Sequence, residues 1–128
     1  MATQTASVWN DINRFLKDAG LWRSDVPCIE VLTDEMPKVD MPRLYKAAHA
    51  FVLPTRGEGW GLPLLEAMAM ALPVIATNFS GHLDFMPPSL THLIAVDAMV
   101  PPQDTTLYDP AIRWAEVRRA AQLDRGSR

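Results

Sequence analysis

The sequence predicts an α/β fold, a parallel sheet of about four strands with helices on both faces, in a single domain over residues 1–128. Two observations carry this. Residues 50–53 (A-F-V-L) are an uninterrupted apolar run, the pattern of a strand buried on both faces, 74–77 (V-I-A-T) read as the next buried strand, and 93–96 (L-I-A-V) as a further strand. The segments between them carry helical features, so strands and helices alternate as in a parallel sheet.

The elements follow in order. Val8, Trp9, Ile12, Phe15, Leu16 and Ala19 recur at helical spacing, so 8–19 reads as an amphipathic helix, with Ser7 as cap and Gly20 just past the end. Asp25-Val26-Pro27 breaks the chain, and 28–33 (C-I-E-V-L-T) reads as a strand. Asp40 and Pro42 mark the start of a short helix whose apolar face holds Leu44, Tyr45 and Ala48. The strand at 50–53 ends at Pro54, and a loop runs to Gly61. Residues 62–72 are apolar except for Glu66, and their Leu, Ala and Met content favours helix. Pro73 stops that helix ahead of the strand at 74–77. A short helix at 80–85, a strand at 93–96, a proline-rich loop at 97–110 and a closing helix at 111–123 complete the expectation. The tail, 124–128, reads as frayed.

Composition excludes several classes. Charged residues make up 21% and hydrophobic residues 48%, which fits a globular chain rather than a disordered or fibrous one. A net charge of −3 argues against a nucleic-acid partner. One cysteine, Cys28, excludes an internal disulfide and a cysteine-based zinc site within the chain. No apolar run reaches the ~20 residues of a transmembrane helix. The expected location is cytoplasmic.

Three of the six glycines, Gly57, Gly59 and Gly61, fall within five residues, after a predicted buried strand and before a predicted helix. Ligands bind at the carboxyl ends of strands in open parallel sheets. Glycines there let a backbone approach a ligand, and helix N-termini attract anions. The spacing fails the dinucleotide fingerprint at Leu62, and no G-K-[ST] follows. The plain alternative is a glycine-rich turn with no ligand. Between Gly57 and Leu83 the only formally charged side chains are Glu58 and Glu66. Glu66 stands in a helix apolar on nearly every face, where an unpaired carboxylate is costly to bury. It therefore either faces a solvent-filled cleft or is bonded to donors. Two carboxylates at one cleft mouth suit a ligand rich in hydroxyls.

Glu58 and Glu66 have E-x7-E spacing. In the setting E-G-W-G-L-P-L-L-E-A-M-A-x-x-x-P-V-I-A-T it resembles the donor-site signature of retaining GT-B glycosyltransferases of family 4. The likeness runs from about Cys28 to Val96 and is strongest over 53–85. It implies a Rossmann-like, N-terminally truncated C-terminal domain that binds a nucleotide-sugar for retaining transfer of a hexose, with no obligatory metal and no cofactor. By the same resemblance Glu58 contacts hydroxyls of the transferred sugar and is the catalytic candidate. Backbone N–H groups of Gly59 to Leu62 contact sugar and diphosphate, and Glu66 accepts hydrogen bonds from the ribose.

Arg56, Gly57 and Trp60 join the substrate-binding candidates: Arg56 reaching a phosphate or lying solvated, Trp60 stacking on a ligand or simply packing. His82 offers a general base, or a surface or capping histidine. Asp84 stands where the family often has the glutamate of G-G-x-x-E; here the segment is Ser80-Gly81-His82-Leu83-Asp84.

The chain departs from the family pattern elsewhere. No Arg and Lys match the diphosphate clamp, the acceptor-binding N-terminal domain is missing, and Ala71 replaces the usual glycine. The isolated chain is therefore expected to transfer little. A missing N-terminal domain or partner chain, and self-association through open strand edges, are the expected partners besides the nucleotide-sugar. The alternative is a non-catalytic nucleotide-sugar-binding or interaction module that pairs with another chain.

Overall fold

The computed structural model describes residues 2–87, 89, 92–102 and 106–117. Its contacts divide the chain into two compact units, Met1–Lys38 and Val39–Arg128, where the sequence reading takes one domain.

The first unit is built on helix α1, Ala2–Asp18. The helix begins earlier than the expected 8–19, which puts Ser7 inside it rather than at its cap. It ends where Gly20 predicts. Gly20 takes φ 66, its N–H bonds Lys17 O at 3.0 Å, and Leu21 N–H bonds Leu16 O at 2.8 Å. This paired closure needs a left-handed residue just past the helix, which glycine adopts without strain. A 3-10 turn follows at Arg23–Asp25. Asn13, Leu16, Leu21 and Trp22 are among the residues lining a groove of ≈ 410 Å³ that includes no residue of the glycine loop. Residues 28–33 do not form the expected strand. Their β-branched, apolar pattern favours extension, but a strand requires a pairing neighbour, and none of the strands among the described residues pairs with them.

The second unit holds the parallel sheet. Helix α2 (Met41–Ala47) leads into β1 (Phe51–Leu53), then α3 (Leu62–Ala69), β2 (Val74–Thr77), a 3-10 turn at Gly81–Asp84, and β3 (His92–Ile94). The strand order is β1-β2-β3, all parallel, with Leu53 beside Ala76 and Thr77 beside Ile94. The α/β fold with a parallel, helix-flanked sheet is therefore present, with three strands in the sheet among the described residues. β2 is the central strand, and Val74, Ala76 and Thr77 are buried. β1 lies at an edge, so Val52 is 54% exposed where the apolar run predicts burial on both faces.

The core gathers Tyr45, Leu64, Ala67, Val74, Ala76 and Met86, with Phe51, Leu53, Met68 and Leu93 packed against them. Helix α3 buries only Leu64 and Ala67 of its eight residues. Its Leu62, Leu65 and Glu66 face outward, so the helix is not the fully buried element that its composition predicts.

The remaining strands correct two expectations. β4 (Val96–Val100) starts on the last residue of the strand expected at 93–96 and runs into the stretch expected to be loop, and β5 (Trp114–Val117) lies within the expected closing helix. They pair antiparallel, Met99 beside Ala115 and Val100 beside Trp114. The burial of β5 alternates, with Ala115 buried and Glu116 exposed, which is strand periodicity. Residues 118–128, with the rest of that expected helix and the tail, lie outside the described residues.

A glycine loop clamped by a strained serine turn

The loop after β1 and the turn after β2 leave the same edge of the sheet, because neighbouring parallel strands place their carboxyl ends side by side. The sequence candidates gather there. Arg56, Gly57, Glu58, Gly59, Trp60 and Gly61 form the loop, Leu62 opens α3, and His82 and Asp84 lie in the adjoining 3-10 turn.

The loop glycines are of two kinds. Gly61 takes φ 80 at the N-cap of α3, and a Cβ there would sit 3.0 Å from both His82 Cβ and Leu64 Cδ1. Its carbonyl receives Leu64 N–H at 2.9 Å and Leu65 N–H at 3.3 Å, which starts the helix. At Gly57 and Gly59, by contrast, a Cβ would meet nothing within 4 Å among the described residues, so none of them requires glycine there. Bare backbone facing open space is what a ligand lying against the chain needs.

The turn after β2 holds this loop in place. The Ser80 hydroxyl accepts a hydrogen bond from Glu58 N–H at 3.0 Å and donates one to Glu58 O. Gly81 N–H adds a longer bond to the same oxygen, at 3.4 Å. A Cβ at Gly81 would collide with the carbonyl oxygen of Gly59. Ser80 itself has φ 96 and ψ −173, a region that is essentially glycine-only and costs about 1–3 kcal/mol for other residues. Sequence reasoning missed this clamp. A hydroxyl beside a Gly was the one visible trace of it.

His82 is fully buried and so is not a surface histidine. Its Nε2 lies 2.7 Å from Thr77 O. A carbonyl only accepts, so Nε2 carries the proton and donates, while the buried Nδ1 has no partner among the described residues. Thr77 in turn donates to Thr55 O at 2.6 Å, tying the ends of β1 and β2 together. Asp84 is exposed at the end of the turn.

Glu66 is exposed and is held by a side chain that the sequence did not point to. Tyr45, buried on α2, donates its phenol O–H to Glu66 Oε2 at 2.9 Å. Burial first, then the hydrogen bond and the charge of Glu66, push the Tyr45 phenol up from 10.0 to about 12. Glu66 lies four residues beyond Leu62, ~6 Å along the helix axis.

Arg56 is half-buried. Its Nε donates to Ala115 O at 3.4 Å and its guanidinium lies 5.3 Å from the centre of the Trp114 ring. Ala115 N–H returns a bond to Arg56 O at 2.9 Å, so β5 is stitched to the start of the loop. Trp60 packs at a tilt against Phe85, ring centres 5.5 Å apart, and stays 49% exposed. Ligand stacking and packing thus remain compatible at Trp60. No group of three or more His, Cys, Asp or Glu among the described residues is arranged to hold a metal ion. No helix among them is long and apolar enough to cross a membrane.

This loop-and-turn geometry lies inside residues 24–114, which match the family model for glycosyl transferases group 1. The chain belongs to that family. Its glycine loop therefore sits in a glycosyltransferase domain of GT-B type. The group 1 chain is 51% identical over 43 residues to the O-antigen chain mannosyltransferase B of Escherichia coli, covering 34% of this chain and 11% of that protein. It is 30% identical over 95 residues to the probable sucrose-phosphate synthase 5 of Oryza sativa subsp. japonica, covering 65% of this chain and 9% of that protein. It is 34% identical over 73 residues to the D-inositol 3-phosphate glycosyltransferase of Paenarthrobacter aurescens, covering 56% and 16%. The matched segments thus span less than a fifth of each relative's length. No solved structure matches the chain.

Proposed function

We propose that this chain is the donor-binding part of a retaining, metal-independent glycosyltransferase of family 4, and that the glycine loop receives a nucleotide-sugar. The observation that carries the reading is the open space at Gly57 and Gly59, beside a loop pinned at Glu58 and opening directly into α3. In this reading the diphosphate and sugar lie against the backbone of residues 57–62. Glu58 accepts hydrogen bonds from sugar hydroxyls and so orients the anomeric carbon. Such positioning is a large part of what a transferase supplies to its reaction. Glu66, with Oε2 on Tyr45, presents Oε1 to the ribose hydroxyls. Charge-assisted bonds of that kind contribute about 1.5–3 kcal/mol each.

The transferred group is read as a hexose. Two of the relatives, the O-antigen chain mannosyltransferase B and the lipopolysaccharide core mannosyltransferase of Rhizobium meliloti, are each 51% identical over their short matched segments. The acceptor side of the reaction falls to a further domain or a partner chain.

A thermal-shift panel of UDP-glucose, UDP-galactose, GDP-mannose and nicotinamide dinucleotides tests this reading. The expected result is stabilisation by a nucleoside diphosphate sugar, reduced in Glu66→Gln. Equal shifts in both proteins would remove Glu66 from the site, and stabilisation by the dinucleotides alone would replace the reading.

A second reading, a non-catalytic nucleotide-sugar-binding or interaction module that pairs with another chain, is favoured by the exposed apolar side chains of Val52 on β1 and of Leu62 and Leu65 on α3. Sugar transfer from a nucleotide-sugar that is lost in Glu58→Gln would set it aside.

A further inference from the structure

We infer that Ser80 is a positioning residue for Glu58, and that its hydroxyl is retained for donor binding at the expense of local backbone comfort. The inference rests on the donor-site reading above.

Three observations carry it. Ser80 occupies φ 96, ψ −173, a conformation that glycine adopts freely and serine does not. Glycine would fit the backbone better, so the side chain has a use that outweighs the strain. That use is visible. One hydroxyl both accepts from Glu58 N–H and donates to Glu58 O, gripping the peptide groups on either side of the Glu58 Cα. With both groups fixed, φ and ψ of Glu58 are fixed, and so is the direction of its Cα–Cβ bond. The neighbouring Gly81 allows the turn to come this close, because any side chain there would strike Gly59 O. The Glu58 side chain therefore takes its aim from a residue 22 positions away, on the turn of the next strand. His82 steadies that turn through its bond to Thr77 O.

Isothermal titration of the chain with the same three nucleotide-sugars tests the proposal, using wild type, Ser80→Ala, Ser80→Gly and Glu66→Gln, each with its melting temperature. Both serine variants lose the hydroxyl, and only Ser80→Gly loses the strain. The expected result is a rise in Kd of at least about fivefold in both, the size of one lost hydrogen bond, with Ser80→Gly melting above Ser80→Ala. A purely structural serine would make Kd follow the melting temperature, with Ser80→Gly binding like wild type, and that result would overturn the proposal. Unchanged Kd in both serine variants, beside weaker binding by Glu66→Gln, would overturn it while leaving the donor-site reading intact. A wild type that binds none of the three would overturn the donor-site reading, and this inference with it.

Discussion

Tyr45 donates its phenol hydrogen to Glu66 across 2.9 Å, joining α2 to α3 through the one carboxylate of the apolar helix. The bond explains how Glu66 is oriented although much of its surroundings is solvent. A buried phenol supplies a fixed donor, and one carboxylate oxygen stays with the protein.

The pH dependence of this pair has a definite sign. Folding raises the Tyr45 pKa from 10.0 to about 12, so the folded state favours the protonated phenol. Its contribution to stability is fully present below about pH 10 and is lost as pH rises toward about 12. Tyr45→Phe removes both the bond and this alkaline loss. Urea unfolding at neutral pH is expected to show a deficit of about 1 kcal/mol in the variant, and the gap to wild type should narrow as pH rises through that window.

Ala71 sits at φ 58, just beyond the end of α3. Alanine there is strained, and the family resemblance already marks the position as one usually held by glycine. Ala71→Gly is expected to stabilise the chain by about 1 kcal/mol, read from the urea midpoint at unchanged slope.

The glycines of the loop should divide into two kinds. Gly57→Ala and Gly59→Ala meet nothing among the described residues, so each should leave stability unchanged or raise it by up to about 1 kcal/mol while weakening nucleotide-sugar binding. Gly61→Ala combines a positive φ with contacts to His82 and Leu64, and should destabilise by about 1–3 kcal/mol. Melting temperature and ligand titration on the three variants separate the two behaviours.

Gly81→Ala should displace the loop outright, since the new methyl group meets the Gly59 carbonyl. The expected outcome is a loss of about 1–3 kcal/mol with loss of donor binding, and backbone amide shifts at residues 57–61 that Gly57→Ala does not reproduce.

Much of the site's frame was legible in the sequence, and the reasons are local. Prolines at 54 and 73, an Ala-Leu-Met helix and short β-branched runs each specify their own segment, so β1, α3 and β2 stand where they were expected. What failed depended on partners far along the chain. The run at 28–33 has strand character but pairs with no strand among the described residues. Residues 114–117 carry a pattern compatible with helix, yet they pair with 96–100 across a proline-rich connection, and that pairing decides the outcome. Tyr45 read as an apolar helix face because its partner is 21 residues away. Ser80 read only as the start of a short helix at 80–85, because its significance lies in a backbone angle and in a contact with the previous loop. The two candidate carboxylates stand out in the sequence by their isolation and their E-x7-E spacing, whereas the groups bonded to them do not.

In the proposed donor site, residues 57–62, braced by Ser80 and Gly81, receive a nucleotide-sugar. An amide chemical-shift titration of the chain with the nucleotide-sugar that stabilises it most tests this. The largest shifts are expected on Gly57 to Leu62 (Pro-free throughout) and on Ser80 and Gly81. Shifts confined to the Asn13–Arg23 groove, or to β4 and β5, would contradict it.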